Sequence, residues 1–99
     1  MDTLKSLDPA TGEVVGTVPV TPPDQVQSVV DRARRAQEGW ADLGLEGRAD
    51  ILRRVAKVFD DKVDEHAALM TREMGKPLKE SRAEARRLGG EGLQREIDE

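Results

Sequence analysis

The sequence predicts an α+β chain, a β-hairpin followed by two or three amphipathic helices. Three observations predict it. The string Asp8-Pro9-Ala10-Thr11-Gly12 separates two short apolar stretches near the N-terminus and reads as a turn. Apolar residues then recur at three- and four-residue steps through residues 26–40 and 51–74. That is the period of a helix with one buried face. Gly75-Lys76-Pro77 ends the second run with a helix stop.

The hairpin is predicted over residues 4–20. Asp8 can bond its own backbone two residues on, Pro9 presets φ, and Gly12 tolerates positive φ. Val14, Val15, Val18 and Val20 supply the β-branched residues of the second strand. Gly16 and Pro19 interrupt it, so that strand is expected to bend or to lie at an edge. An isolated hairpin is marginal in water and needs a surface to lie on.

The first helix is predicted over residues 22–40. Thr21 is the expected N-cap and Pro22 the first helical residue, with Asp24 complementing the dipole. Val26, Val29, Val30, Ala33, Ala36 and Trp40 form its stripe. Leu43-Gly44-Leu45 links it to one long helix over residues 46–74, whose start has no capping side chain and carries Gly47 in its first turn. Ile51, Leu52, Val55, Val58, Phe59, Val63, Ala67, Met70 and Met74 share its apolar face. Arg53, Arg54, Lys57, Asp60, Asp61, Asp64 and Glu65 fall on the other. The two helices are expected to pair antiparallel, with Trp40 and Phe59 at or near the contact. Gly75 suits a left-handed C-cap, and Pro77 biases Lys76 out of helical geometry. A third, sparsely apolar helix follows over residues 77–88. Gly89-Gly90-Glu91-Gly92 then reads as a flexible terminator before a short charged tail, because each glycine costs a helix about 1 kcal/mol relative to alanine.

Composition bounds the function. The chain has 99 residues, with 36% charged and only Trp40 and Phe59 aromatic. A chain of this length buries only about 60–65% of its unfolded surface, so its core is small. The wide face of the long helix therefore exceeds what the hairpin and first helix can cover, and self-association is expected. A net charge of -4 argues against nucleic acid or an anionic membrane as partner. There is no cysteine, which excludes disulfides, thiolate metal sites and a thiol nucleophile. The N-terminus lacks the continuous apolar run of a signal peptide, and no stretch reaches membrane-spanning length, so a cytoplasmic location is expected.

The residues then carry a resemblance. Asp8-Pro9-Ala10-Thr11-Gly12-Glu13 resembles the (Asn/Asp)-Pro-Ala-Thr-Gly-Glu opening of the NAD(P)-dependent aldehyde dehydrogenase superfamily. Leu45-Glu46-Gly47-Arg48 matches the family's Leu-x-x-Arg before its second helix. Thr71-Arg72-Glu73-Met74-Gly75-Lys76-Pro77 matches the string that ends that helix. Glu80-Ser81-Arg82-Ala83-Glu84 resembles the start of the next one. The match runs from about Leu7 to Arg87, and the short lead before Asp8 is similar to the succinate-semialdehyde dehydrogenase branch. The resemblance implies the N-terminal part of an α/β Rossmann-type cofactor domain, in an enzyme that oxidises an aldehyde to a carboxylate with NAD(P).

It also implies what this chain lacks. The family is several times longer, and its glycine fingerprint, general-base glutamate and nucleophilic cysteine lie beyond the matched region. Residues 1–88 read as the family segment, truncated, and residues 89–99 as a divergent glycine-rich and charged tail. Catalytic, cofactor-binding and metal residues are expected to be none, and the chain alone is expected to be inactive. Some family members hold a monovalent cation through carbonyls that match Ser6 and Leu7. Its other ligands lie downstream, so no such site is expected here.

The remaining candidates have plain readings. His66 is a lone histidine with no second ligand at helical spacing, which suits a structural role. The acidic group Asp60, Asp61, Asp64 and Glu65 reads as a solvated face. Gly89-Gly90-Glu91-Gly92 lacks phosphate-loop spacing. Lys76 is placed to meet the last carbonyls of the long helix, and Met70 and Met74 face a core by spacing. Two functions remain open. One is a scaffold segment whose partner is the remainder of an aldehyde dehydrogenase. The other is a small helical interaction module that takes a partner helix or associates with itself.

Overall fold

The computed structural model describes residues 2–99. Strands β1 (Thr3–Leu7) and β2 (Val14–Pro19) form an antiparallel hairpin. Five helices follow: α1 (Pro23–Asp42), α2 (Gly44–Asp61), α3 (Val63–Met74), α4 (Leu78–Arg87) and α5 (Leu93–Asp98). The α+β class and the hairpin-then-helices order are as the sequence predicts, with more helices than expected.

The hairpin turn works as its chemistry requires. The Asp8 carboxylate accepts from the Ala10 N–H at 2.8 Å, and the Gly12 N–H donates to the Asp8 carbonyl at 2.7 Å. Leu4 lies opposite Val18 and Ser6 opposite Gly16, with a bulge between Ser6 and Leu7 that bends the ladder.

The first helix starts one residue later than expected. Pro22, with ψ 143°, is the N-cap, Pro23 is the first helical residue, and no side chain caps the end. The cause is local. The Pro23 ring clashes with a helical Pro22, so Pro22 is driven to extended geometry and the hydroxyl of Thr21 lies one residue too early. The link to α2 is shorter than expected, with Leu43 serving as cap to both helices. Arg48 donates from Nη1 to the Ala41 carbonyl at 3.0 Å and so closes the end of α1 from the next helix.

The expected long helix is two helices. It breaks at Lys62, where φ is −116° and ψ 18°. Asp60 and Asp61 sit at the negative end of α2, whereas Asp64 and Glu65 occupy the first turn of α3. A break here leaves only the first pair opposing a helix dipole and gives the second pair a favourable one. β-branched Val63 adds little helix propensity to resist it. The break changes the packing. Trp40 lines a groove with Leu45, Ala49, Leu52 and Ile97, while Phe59 stacks at a tilt on His66 with ring centroids 5.4 Å apart. Of the two residues expected at or near the contact of the first two helices, Trp40 lines a groove with α2, whereas Phe59 is turned to α3.

The tightest helix pairing is α3 on α4, not α1 on α2. Ala67 and Ala85 are both 0% exposed, and so is Ser81. Ala56 is buried on α2. The core among the described residues is thus built from small side chains that let helices approach closely, while large apolar residues lie around its edge. Val26, Val29 and Val30 of α1 are exposed, as are Val58, Leu69 and Met74. The chain is a slab 47 × 39 × 17 Å with a radius of gyration of 17.2 Å, against about 13 Å for a compact domain of this length. The tail is not loose: α5 folds back onto α2. No helix of the described residues is long and apolar enough to cross a membrane.

Candidate functional site

The two strings that carry the resemblance meet in space. Gly75 ends α3 in left-handed geometry, φ 73°, and its N–H donates to the Thr71 carbonyl at 2.9 Å. A Cβ on Gly75 would lie 3.2 Å from Cγ of Pro9. The Asp8–Pro9 turn therefore sits directly on the helix stop, and β1 packs along α3. A residue with no side chain meets two requirements here, the positive φ and the proline ring.

The next residues lock the following helix. Lys76 does not return to the end of α3 as expected. Its Nζ donates to Oε1 of Glu84 on α4. That hydrogen bond first, then the lysine's charge, holds the Glu84 carboxyl below its ordinary value, with Arg87 adding a smaller pull. Thr71 Oγ1 and Ser81 Oγ lie 2.9 Å apart across the α3–α4 contact. Arg82 donates from Nε to Oδ1 of Asp64 at 3.2 Å. This corner is a built junction of turn, helix stop and helix start, and its polar groups are used in holding it together.

The other sequence candidates divide among structural tasks. His66 is half-buried, its ring against Phe59 and its Nδ1 buried without a partner. The acidic group Asp60, Asp61, Asp64 and Glu65 is exposed as expected, and two of its members also make contacts: Asp60 accepts the Gly90 N–H at 2.7 Å, and Asp64 takes Arg82. Ser6 and Leu7 sit at the hairpin bulge, opposite Gly16 and Val14. Among the described residues no three acidic or histidine side chains converge as a metal site. Met70 and Met74 both line an apolar groove with Phe59, His66, Leu69 and Leu88, but Met74 is 66% exposed and so lies at the rim of that groove rather than in a core.

The glycine segment is also corrected. It is a tight turn rather than a flexible terminator. Gly89 is buried, and a Cβ there would lie 2.1 Å from Oδ1 of Asp60 and 2.9 Å from the Ala56 carbonyl. This turn does not fit a dinucleotide phosphate. The Gly89 N–H goes to the Arg86 carbonyl and the Gly90 N–H to Asp60. A carboxylate already occupies the place where an anion would have to bind. Sequence reasoning missed Asp60, Thr71 and Ser81 as contact residues. Periodicity assigns faces, and none of these contacts follows from a face alone.

A bulged hairpin is thus seated on a glycine helix stop, and the helix that follows is tied back through Lys76. The sequence model of the aldehyde dehydrogenase family matches residues 1–90, and the chain belongs to that family. It is 39% identical over 82 residues to glutarate-semialdehyde dehydrogenase of Pseudomonas putida, covering 83% of this chain and 17% of that protein. It is 40% identical over 87 residues to N-succinylglutamate 5-semialdehyde dehydrogenase 2 of Caulobacter vibrioides, covering 88% and 18%. It is 39% identical over 77 residues to a succinate-semialdehyde dehydrogenase [NADP(+)] of Escherichia coli, covering 78% and 16%. The chain thus spans less than one fifth of the length of these relatives.

Proposed function

We propose that this chain is the N-terminal structural segment of an aldehyde dehydrogenase and carries fold rather than chemistry. The observation that supports it most is the seating of Pro9 on Gly75, which joins both matched strings in one packed corner. The resemblance implies a whole enzyme that oxidises an aldehyde to a carboxylate with NAD(P). Three relatives are named for semialdehydes, which makes a semialdehyde the substrate to test first. Aldehyde oxidation of this kind requires a thiolate, a base and a held nicotinamide. The chain has no cysteine, no residue matches the family's base, and its glycine turn is filled by Asp60. Catalytic, cofactor-binding and metal residues in this chain are therefore proposed to be none, with residues 1–88 as the family segment and 89–99 as a divergent tail. Its partner is the remainder of such an enzyme, and its compartment the cytoplasm.

The exposed valines of α1 favour a second reading, a helical module that self-associates or takes a partner helix. Calorimetry of the purified chain with NAD and NADP, together with an assay of reduced nicotinamide on succinate semialdehyde, tests the first reading. No heat of binding and no turnover are expected. Saturable binding of either nucleotide would overturn it.

A further inference from the structure

The segment after α4 has a geometry that neither the family match nor the scaffold role requires. Three independent contacts bring it back over α2. At the turn, Oδ1 of Asp60 accepts the Gly90 N–H at 2.7 Å across 30 residues of sequence. The turn is close enough to α2 that only glycine fits at position 89, and a Cβ at Gly92 would lie 1.9 Å from the Arg87 carbonyl. Beyond the turn, Glu96 and Ile97 form the α5 wall of a groove lined on its other side by Trp40, Leu45, Arg48, Ala49 and Leu52. A guanidinium–carboxylate approach of 3.9 Å between Arg53 and Asp98 closes the far end.

We propose that residues 88–98 form an intramolecular cap, in which a glycine turn keyed to Asp60 lays α5 over the Trp40–Leu52 groove and keeps that face from associating. Six residues of isolated helix are too short to persist in water, so α5 is held by what it touches. Closure therefore depends on two separable anchors, the Asp60 turn and the Ile97 side chain. With either lost, the cap opens while the α3–α4 junction, which shares neither anchor, stays closed. Opening uncovers the half-buried Trp40 and Leu52 and joins them to Leu45, which is 75% exposed even with the cap closed, giving a wider apolar surface of the kind that drives self-association.

Trp40 is the only tryptophan, so its emission reports this groove alone. The test compares the full chain with Ile97→Ala, Gly89→Val and Asp60→Ala, and with Asp60→Asn, whose amide oxygen keeps an acceptor. Losing the Asp60 acceptor leaves the Gly90 N–H unpaired and should raise the open fraction about tenfold. The three disruptive variants should show red-shifted Trp40 emission, faster tryptic cleavage after Arg95 and a larger weight-average mass in sedimentation. Asp60→Asn should stay near the parent. Hydrogen exchange should show α3 and α4 protected as before. Unchanged Trp40 emission in Ile97→Ala and Gly89→Val would overturn the cap. So would equal loss of protection in α3, α4 and α5, since the segment would then not be a separable unit.

Discussion

Thr71 Oγ1 and Ser81 Oγ lie 2.9 Å apart where α3 crosses α4, and the serine is 0% exposed. Nearby, Ala67 and Ala85 are also 0% exposed. A hydroxyl pair between small residues lets two helices approach closely and still satisfies a buried polar group. Ser81→Ala should cost about 1 kcal/mol, since it removes one partner of a part-buried bond. Thr71→Val should cost a similar amount. The double variant should cost less than the sum of the two, as expected of one shared interaction. Urea unfolding followed by far-UV dichroism measures all three.

Gly75→Ala should destabilise the chain by about 1 kcal/mol or more, because alanine must hold left-handed geometry. Its Cβ would also press on Pro9 at 3.2 Å. The same substitution in a Pro9→Ala background should cost less, which separates ring contact from backbone strain. Agreement of the two costs would mean that the turn does not bear on the helix stop.

The Lys76–Glu84 pair predicts a pH dependence. Folding lowers the Glu84 pKa through the Lys76 hydrogen bond and charge. The pair therefore stabilises the fold above the ordinary glutamate value, and that contribution is lost as pH falls through the lowered one. Both groups are accessible to solvent, so the effect is small and weakens with salt. Glu84→Gln should match the parent below this window and fall behind above it. Midpoints of urea unfolding across the acid range read the difference.

Leu69 is 44% exposed and borders two grooves, one with Phe59 and Met70 and one with the hairpin residues Leu4 and Val18. Leu69→Glu should shift a self-associating chain toward monomer, with little loss of helix signal. Sedimentation at several concentrations decides it, and an unchanged mass distribution would place the association elsewhere.

The hairpin, its turn and the helix stop were legible in the sequence because each rests on local chemistry: Asp8 bonding Ala10, or Gly75 accepting positive φ. The break at Lys62 was not. The apolar spacing from Ile51 to Met74 continues through it, and only the placement of Asp60 and Asp61 against Asp64 and Glu65 hints at two dipoles. Thr21 misled because capping preference is local, whereas Pro23 acts on its neighbour. The glycine turn was misread because a glycine required by close approach looks, in sequence, like one that loosens a chain. Asp60 alone distinguishes the two, and it lies on another helix.

Co-purification tests the scaffold account most directly. The chain is co-expressed with the complementary remainder of the Pseudomonas putida glutarate-semialdehyde dehydrogenase, tagged on the remainder alone. The account predicts that the two co-purify in equal amounts. It also predicts that Leu69→Glu and Gly75→Ala reduce recovery, while Asp31→Asn on the polar side of α1 does not. A folded remainder that emerges from the column without this chain would contradict it.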